Sequence, residues 1–364
     1  MPSKLRLPEL NRQHFRHAVD RQHVILYPTA SLMFVKDVSQ PLFEHVVHLV
    51  PAYSDKPAPP LKTPDLTTQP RRDPFGGPQF GPDDRERVVD LETLSTGSDN
   101  ATTSKHSLVQ NLHALCEEHS MIVPTFVEGH FRSQTTDLLL SDLEAAWQII
   151  SQYREDEREV IMFYNGGPLA GASQPHLHMQ FCPFQNRTPG PVAVARDLPL
   201  NLPTVTPFTL PLPWIMFCVP LGPSPKAQTA YEAYVALLKH SKSFIDELDD
   251  SDTPPAGPKR ESYNFLLTST HAFLMPRTDR LSRIPRRASR RKQQSESDRK
   301  PRMNGDTEDE KILLSVNGLL VIGYWYLGSK EEVDDLLGYT PGQVLVDAGY
   351  KNKVGLRFAL GSEQ

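Results

Sequence analysis

The sequence predicts an α+β fold in which helices pack on one face of an antiparallel sheet. Predicted strands and helices are mixed along the chain, without the strict strand–helix–strand alternation that is typical of a parallel sheet. No internal repeat is present, and 364 residues are enough for one large domain or two small ones with a substantial core.

Strands are predicted where short apolar or alternating runs end at turn-forming residues. The runs are residues 24–35, 121–123, 159–164, 176–184, 263–267 and 272–275. A β-hairpin is predicted over residues 312–326, because Asn317-Gly318 is a favoured two-residue turn.

Helices are predicted where apolar residues recur on one helical face. The segments are residues 141–153, 227–248 and 329–337. Ser141 and Glu144 predict a capping box at the start of the first helix. Ser329 and Glu332 predict another at the start of the third.

Proline is concentrated in two stretches. The chain has 34 prolines, roughly double ordinary usage. Nine fall in residues 51–82, and acidic, Ser/Thr-rich sequence continues to residue 105, so residues 51–105 are predicted to be a disordered insertion. Eleven prolines in residues 183–225 are interleaved with apolar residues, which predicts extended chain and short edge strands.

Positive charge is concentrated in residues 277–303, which carry eleven Lys or Arg against three Asp or Glu in a chain of net charge −5. A solvated, disordered loop is predicted, with a nuclear-import or nucleic-acid patch around residues 286–292 as the alternative. The chain is then predicted to divide into an N-terminal part of the main domain, an insertion, a central core, a basic insertion and a C-terminal part that completes the fold. These are residues 1–50, 51–105, 106–276, 277–310 and 311–364.

Several protein classes are disfavoured by the sequence. No apolar run approaches the 18 or so residues of a transmembrane helix, and the N-terminus shows no signal peptide. Cys116, Cys182 and Cys218 are odd in number and far apart, which indicates a reducing compartment rather than a disulfide scaffold or a metal knuckle.

One segment, residues 163–181, carries the candidate chemistry. The buried strand ends in a turn that contains Gly166, Gly167 and Gly171, whose backbone N–H groups are predicted to form a nest for an anion. In the next strand, alternation places His176, His178 and Gln180 on one face and apolar residues on the other.

Two imidazoles and an amide beside such a nest favour nucleophilic chemistry at phosphorus, because a neutral imidazole is a competent nucleophile. The amide can donate a hydrogen bond to a nonbridging phosphate oxygen. A Zn²⁺ or Fe site on His176 and His178 is the rival interpretation, although no third ligand is closely spaced. A purely structural role for both histidines is the remaining one.

The segment 163–181, FYNGGPLAGASQPHLHMQF, resembles the signature of the histidine-triad superfamily, in the branch with His-x-His-x-Gln. It is most similar to the family of fungal diadenosine tetraphosphate phosphorylases, or ATP adenylyltransferases. Weaker likeness in the expected order covers residues 24–349. The resemblance implies a histidine-triad-like, galactose-1-phosphate-uridylyltransferase-like antiparallel sheet.

The resemblance also implies roles for individual residues. His178 would attack an α-phosphate and become adenylylated, Gln180 would contact that phosphate, and His176 would orient the site. The implied substrate-binding residues are Asn165, Gly166, Gly167, Gly171, Ser173 and Gln174. The expected ligands are a dinucleoside polyphosphate, ATP, ADP and inorganic phosphate.

Lysines of the family pattern are replaced here at Ser120, Ser269 and Thr270, and Arg132, Arg277 and Arg280 could compensate for them. The alternatives are a transferase acting on nucleotide sugars, or a nucleotide-binding protein with weakened activity. No metal site and no tightly bound cofactor are expected, although a divalent cation could accompany the nucleotide. A cytoplasmic monomer is predicted, with nuclear entry left open, and neither a membrane nor stable nucleic-acid binding is expected.

Overall fold

A computed structural model describes residues 6–37, 41–53, 87–94, 103–124, 131–184, 187–198, 204–248, 262–286 and 311–353. Its strands are β1 Ile25–Leu26, β2 Ser31–Lys36, β3 Glu44–Leu49, β4 Arg87–Leu94, β5 Thr103–Gln110, β6 His113–Ala114, β7 Ser120–Pro124, β8 Val160–Gly166, β9 Met179–Pro183, β10 Phe208–Thr209, β11 Phe217–Pro220, β12 Tyr263–Leu267, β13 His271–Pro276, β14 Leu281–Pro285, β15 Lys311–Ser315 and β16 Tyr324–Leu327. Its helices are α1 Leu7–Asp20, α2 Leu140–Glu155, α3 Gly190–Asp197, α4 Ala227–Asp246, α5 Gly318–Val321, α6 Lys330–Tyr339 and α7 Pro341–Ala348, with a 3₁₀ turn at Pro51–Tyr53.

The main sheet has nine strands in the order β10-β11-β13-β12-β8-β9-β7-β5-β4, and every neighbouring pair is antiparallel. The predicted α+β class with an antiparallel sheet is therefore confirmed. Strands β8 and β9, which flank the glycine-rich turn, pair directly near the middle of the sheet. Asn165 and Gly166 on β8 and Gln180 on β9 consequently lie on strands that have a neighbouring strand on each side.

Helices cover both faces of the main sheet, so the prediction of helices on one face is wrong. Met162 and Tyr164 of β8 pack in a core with α2 and α4. Ile161 and Phe163 point to the opposite face and pack in a second core with α3, α5, α6 and α7. A strand that is apolar on both faces must be covered on both, as β8 is here.

A smaller sheet, in the order β16-β3-β2, contributes to the second core. Strand β16 runs parallel to β3, and β2 runs antiparallel to it. The predicted hairpin over residues 312–326 is therefore wrong, since β15 pairs with β14 and β16 pairs with β3. Asn317 instead caps α5, its Oδ1 accepting from the backbone N–H of Leu319 at 3.0 Å; the same residue type that favours a hairpin turn also favours a helix N-terminus.

The predicted cap at Ser329 is confirmed, although the Glu332 carboxylate accepts from the Gly328 N–H rather than from that of Ser329. The predicted cap at Ser141 is wrong. Ser329 Oγ accepts from the Glu332 backbone N–H at 3.2 Å, at the start of α6. Helix α2 begins one residue earlier than Ser141, and the Asp142 carboxylate reaches back to accept from the Leu139 N–H at 2.7 Å.

Parts of the predicted insertions are regular structure. Strand β4 and the start of β5 lie within residues 51–105, and β14 lies within residues 277–310. Likewise α3 lies in the proline-rich stretch predicted as extended chain. In β14, Leu281 and Ile284 are buried and Arg283 is exposed. This apolar pattern is short and is flanked by charged residues, so it does not stand out in the sequence as a strand. The remaining residues of both insertions, 54–86, 95–102 and 287–310, lie outside the described part of the chain.

Among the described helices, none combines the length and the apolar character needed to span a bilayer.

Candidate active site

The two histidines of the motif lie in irregular chain just before β9, so the predicted strand begins later than expected, at Met179. This segment bonds instead to the loop that precedes α2. The backbone N–H of Leu177 donates to the Arg132 carbonyl at 2.7 Å, and that of Gln134 donates to the Pro175 carbonyl at 2.7 Å. The predicted alternation persists, because Leu177 and Met179 pack in the α2–α4 core.

His178 is held in one tautomer by its own segment. Its Nδ1 lies 2.9 Å from the His176 backbone carbonyl oxygen. A carbonyl oxygen only accepts, so Nδ1 carries the proton and the lone pair of the neutral ring is on Nε2. The side chain is 2% exposed. Burial lowers the pKa of His178 to about 4, so the ring is neutral at pH 7.

Gln134, for which no functional role is predicted from the sequence, fixes the backbone of His178. Its Oε1 accepts from the His178 N–H at 2.8 Å. Its Nε2 donates to the carbonyl oxygens of Asn165, at 3.0 Å, and of His178, at 3.2 Å. These bonds connect the end of β8 to the histidine segment. The Gln134 amide that makes them is completely buried. Gln134 precedes His178 by 44 residues in the sequence, so no local pattern connects the two residues.

The His176 side chain contacts other parts of the protein. Its ring stacks on Phe131, with centroids 4.8 Å apart, and its Nε2–H donates to the Pro124 carbonyl at 3.2 Å. Its backbone carbonyl is the group that orients His178. This arrangement is compatible with the orienting role that the resemblance implies.

Gln180 is oriented by a second polar cluster. Its Oε1 accepts from His119 Nε2–H at 3.0 Å and from Asn111 Nδ2 at 3.3 Å. His119 Nδ1 accepts from the Leu115 N–H, which places the proton on Nε2. With its oxygen occupied, Gln180 has its amide NH₂ left to donate to an anion. His119, which directly precedes Ser120, therefore belongs to the candidate site.

Several amides of the glycine-rich turn already donate within the protein. The Gly167 N–H donates to the Gln134 carbonyl at 3.1 Å, the Leu169 N–H to Ser262 Oγ at 3.0 Å, and the Ala170 N–H to the Gly167 carbonyl at 3.3 Å. The predicted anion nest cannot use these three groups without breaking those bonds. Gly171 has φ +82°, and a Cβ there would lie 2.4 Å from the Val316 oxygen, so a larger residue is excluded.

Asn165 is buried beneath this turn and holds α5. Its Oδ1 accepts from Asn264 Nδ2 at 2.8 Å and from the Gly318 N–H at 2.9 Å. Ser173 and Gln174 lie at the outer end of the turn and are exposed. Contact of these residues, and of Gly166, Gly167 and Gly171, with a substrate stays a prediction.

The described residues contain no set of side chains that could hold a metal ion. Among them, His, Cys, Asp and Glu side chains do not gather in any group of three that could hold a metal ion.

Two family models match consecutive parts of the chain. The Ap4A phosphorylase N-terminal domain matches residues 100–198, where Ap4A stands for diadenosine tetraphosphate. The ATP adenylyltransferase C-terminal domain matches residues 210–351. The chain belongs to the Ap4A phosphorylase and ATP adenylyltransferase family. The family prediction, and with it the enzyme class that both domain descriptions name, is confirmed.

Two relatives from Saccharomyces cerevisiae support this family assignment. Diadenosine 5',5'''-P1,P4-tetraphosphate phosphorylase 2 is 26% identical over 58% of this chain and 63% of its own length. Protein APA1 is 24% identical over 60% of this chain and 68% of its own length. The match thus spans a little under two thirds of the first relative.

Solved structures of yeast Ap4A phosphorylase Apa2 share the fold. The complex with AMP covers 96% of this chain and 98% of its own, with a TM-score of 0.67 at 20% identity. The complex with Ap4A covers 95% and 98%, with a TM-score of 0.66. The predicted fold is confirmed over nearly the whole length of that structure.

The arginines proposed to replace the family lysines are occupied within the protein. Arg132 binds both oxygens of Asp142, at 2.8 and 2.7 Å. Arg277 is buried and donates to Asn264 Oδ1 and to three backbone carbonyls. Burial lowers the pKa of Arg277 to about 9, so it remains charged at pH 7. Arg280 is buried as well, and direct contact of these cations with a polyphosphate would require them to leave their present environments.

Proposed function

We propose that this protein phosphorolyses diadenosine tetraphosphate to ATP and ADP through a covalent adenylyl intermediate on His178. The observation that carries the proposal is the fixed tautomer of a buried, neutral imidazole. With Nδ1–H held by the His176 carbonyl, the nucleophilic lone pair lies on Nε2.

In the first step, Nε2 of His178 attacks an α-phosphorus. The new N–P bond forms as the bond from that phosphorus to the bridging oxygen breaks, and ATP leaves with the electron pair. In the second step, an oxygen of inorganic phosphate attacks the same phosphorus and displaces the imidazole, which gives ADP and restores His178. Diadenosine tetraphosphate and phosphate are thereby converted into ATP and ADP.

Gln180 is suited to contact the transferred phosphate. Its oxygen is occupied by His119 and Asn111, so its NH₂ group can donate to a nonbridging oxygen throughout the transfer. An amide neither gives nor takes a proton. The acceptor is already anionic at pH 7, so less proton relay is required than for attack by water.

The comparisons support this substrate class. The S. cerevisiae relative is named a diadenosine tetraphosphate phosphorylase, and the structure of Apa2 has been solved with Ap4A and with AMP. We extend that substrate to this chain because the motif histidines, Gln180 and the supporting amides lie together in one fold.

A nucleotide-binding protein with weakened activity is the second candidate. Ser120 and Ser269, in positions of family lysines, are buried, and the nearby arginines have other partners. This candidate predicts that the dinucleotide binds without being consumed.

Product analysis separates the two. The protein is incubated with Ap4A and ³²P-labelled inorganic phosphate, and nucleotides are resolved by chromatography. We expect equal amounts of ATP and ADP, with label only in ADP and no reaction without phosphate. Calorimetric binding of Ap4A without consumption would favour the second candidate. AMP formation without phosphate would show hydrolysis instead.

A further inference from the structure

Two of the three cysteines meet inside the second core. Cys116 lies in the turn between β6 and β7, and Cys182 lies on β9. Their Sγ atoms are 2.7 Å apart, which is about 0.7 Å longer than a disulfide bond of about 2.05 Å. Cys218 belongs to the same core but lies on β11, where its residue pairs with Phe273. The fold has therefore brought one pair of sulfurs almost to bonding distance.

The pair is buried. Both residues belong to the second core, with Cys116 5% exposed and Cys182 0% exposed. Burial raises the pKa of the Cys116 thiol, so at pH 7 it is present as the thiol, which reacts with oxidants more slowly than a thiolate does. Cys116, as the more exposed of the two, is the sulfur that an oxidant meets first.

We propose that Cys116 and Cys182 form a reversible disulfide when the protein is exposed to a peroxide. Peroxide converts the Cys116 thiol to a sulfenic acid and releases one water. The Cys182 sulfur then attacks the Cys116 sulfur, the S–O bond breaks, and a second water leaves. Two electrons pass from the sulfurs to the peroxide oxygens, and both thiol protons end in water.

The cross-link would act on the candidate active site. Cys182 follows Gln180 by two residues on the same face of β9, and Cys116 precedes His119 by three. The bond would therefore tie the turn that carries His119 to the strand that carries Gln180, across their 3.0 Å hydrogen bond. It would also close a loop of more than 60 residues, which restricts the unfolded chain.

Thiol mapping tests the proposal on the unaltered full chain. The reduced protein is treated with hydrogen peroxide, unfolded, and alkylated. We expect one alkylated cysteine, Cys218, and a Cys116–Cys182 cross-linked peptide that disappears after treatment with dithiothreitol. Three alkylated cysteines, or a cross-link that includes Cys218, would overturn the proposal. This result does not depend on whether the protein has the proposed activity.

Variants give a second readout. The oxidised protein should melt on the order of 5 °C above the reduced protein. Cys218→Ala should retain this difference, and Cys182→Ala should abolish it. A difference that persists in Cys182→Ala would contradict the assignment of the pair, and if that variant does not fold, the peptide map of the unaltered chain decides alone.

Discussion

Two fully buried histidines differ in the partner that holds the ring. His178, before β9, faces the carbonyl oxygen of His176. His106, on β5, places Nε2 2.7 Å from a carboxylate oxygen of Asp142, which also binds Arg132. Both rings are essentially inaccessible to solvent, so burial alone does not distinguish them.

The two partners differ in charge, and the role proposed for His178 requires a neutral ring. His106 belongs to a network with the charged side chains of Asp142 and Arg132. A carbonyl oxygen fixes one proton without adding charge, so desolvation keeps the ring neutral. The contact with the His176 carbonyl leaves the lone pair of His178 on Nε2, whereas the contact with Asp142 joins His106 on β5 to the start of α2.

Replacement of the nucleophile should have the largest effect. His178→Ala should lower kcat/KM for Ap4A on the order of 10⁴-fold or more, because the covalent intermediate can no longer form. The matched control is His106→Gln, which removes the other buried imidazole and should keep activity within about threefold. Phosphorolysis at a normal rate in a folded His178→Ala variant would refute the role of this residue.

Loss of the Asp142 carboxylate, which contacts His106, should destabilise the fold. Asp142→Asn should lower the free energy of unfolding at pH 7 by about 3–5 kcal/mol, since it leaves buried partners unsatisfied. Urea unfolding measures the change. Glu159→Gln, in the exposed pair with Arg196, is the matched control and should cost less than about 1 kcal/mol.

This stability difference should depend on pH in a defined direction. Burial alone would raise the pKa of Asp142, but the hydrogen bond from His106 and the charge of Arg132 outweigh it, so the folded-state pKa is lowered. The stabilisation is therefore complete above the ordinary Asp pKa of about 3.9 and is lost as the pH falls below it. An equal difference between wild type and Asp142→Asn at pH 7 and pH 3 would contradict this account.

The pH dependence of the first half-reaction probes His178 itself. We expect the rate of adenylylation to fall only as the pH approaches about 4, the pKa that burial gives His178, rather than near the ordinary value of about 6.5. The rate is measured in single turnovers without phosphate, so that titration of the acceptor does not contribute. Circular dichroism checks the fold at each pH. A fall in the rate of adenylylation between pH 7 and pH 6 would show that the pKa of His178 is not lowered by burial.

Removal of the positioning amide should have the smallest of these effects. Gln134→Ala should lower kcat by about 10–100-fold with a much smaller change in KM, because His178 loses its backbone support while the substrate contacts remain. Asn11→Ala removes another buried amide, which lies on α1 and accepts a hydrogen bond from Gln110. This variant is the control for general destabilisation. Equal losses of activity in the two variants would mean that Gln134 acts only through stability.

Much of the site could be predicted because its chemistry is local in sequence. His176, His178 and Gln180 lie within five residues, and their alternation with apolar residues is visible without a structure. Gln134, His119 and Asn111 could not be found in this way. Each is brought to the motif by a loop or a neighbouring strand, and a single buried amide leaves no periodic signal.

The fold was predicted less completely for a related reason. The antiparallel arrangement of the main sheet follows from the mixture of elements, but the second sheet depends on β16 pairing with β3 across most of the chain. The Asn317-Gly318 pair was misleading because a hairpin turn and a helix cap favour the same residue. Which of the two forms is decided by packing of α5 beneath the glycine-rich turn.

Trapping the intermediate tests the central claim most directly. The protein is incubated with Ap4A in the absence of phosphate, separated from free nucleotide, and analysed by mass spectrometry of neutral or alkaline digests. We predict one adenylyl group on His178, released as ADP when phosphate is added. An adduct on another residue, or phosphate-dependent turnover with no adduct at all, would contradict the account.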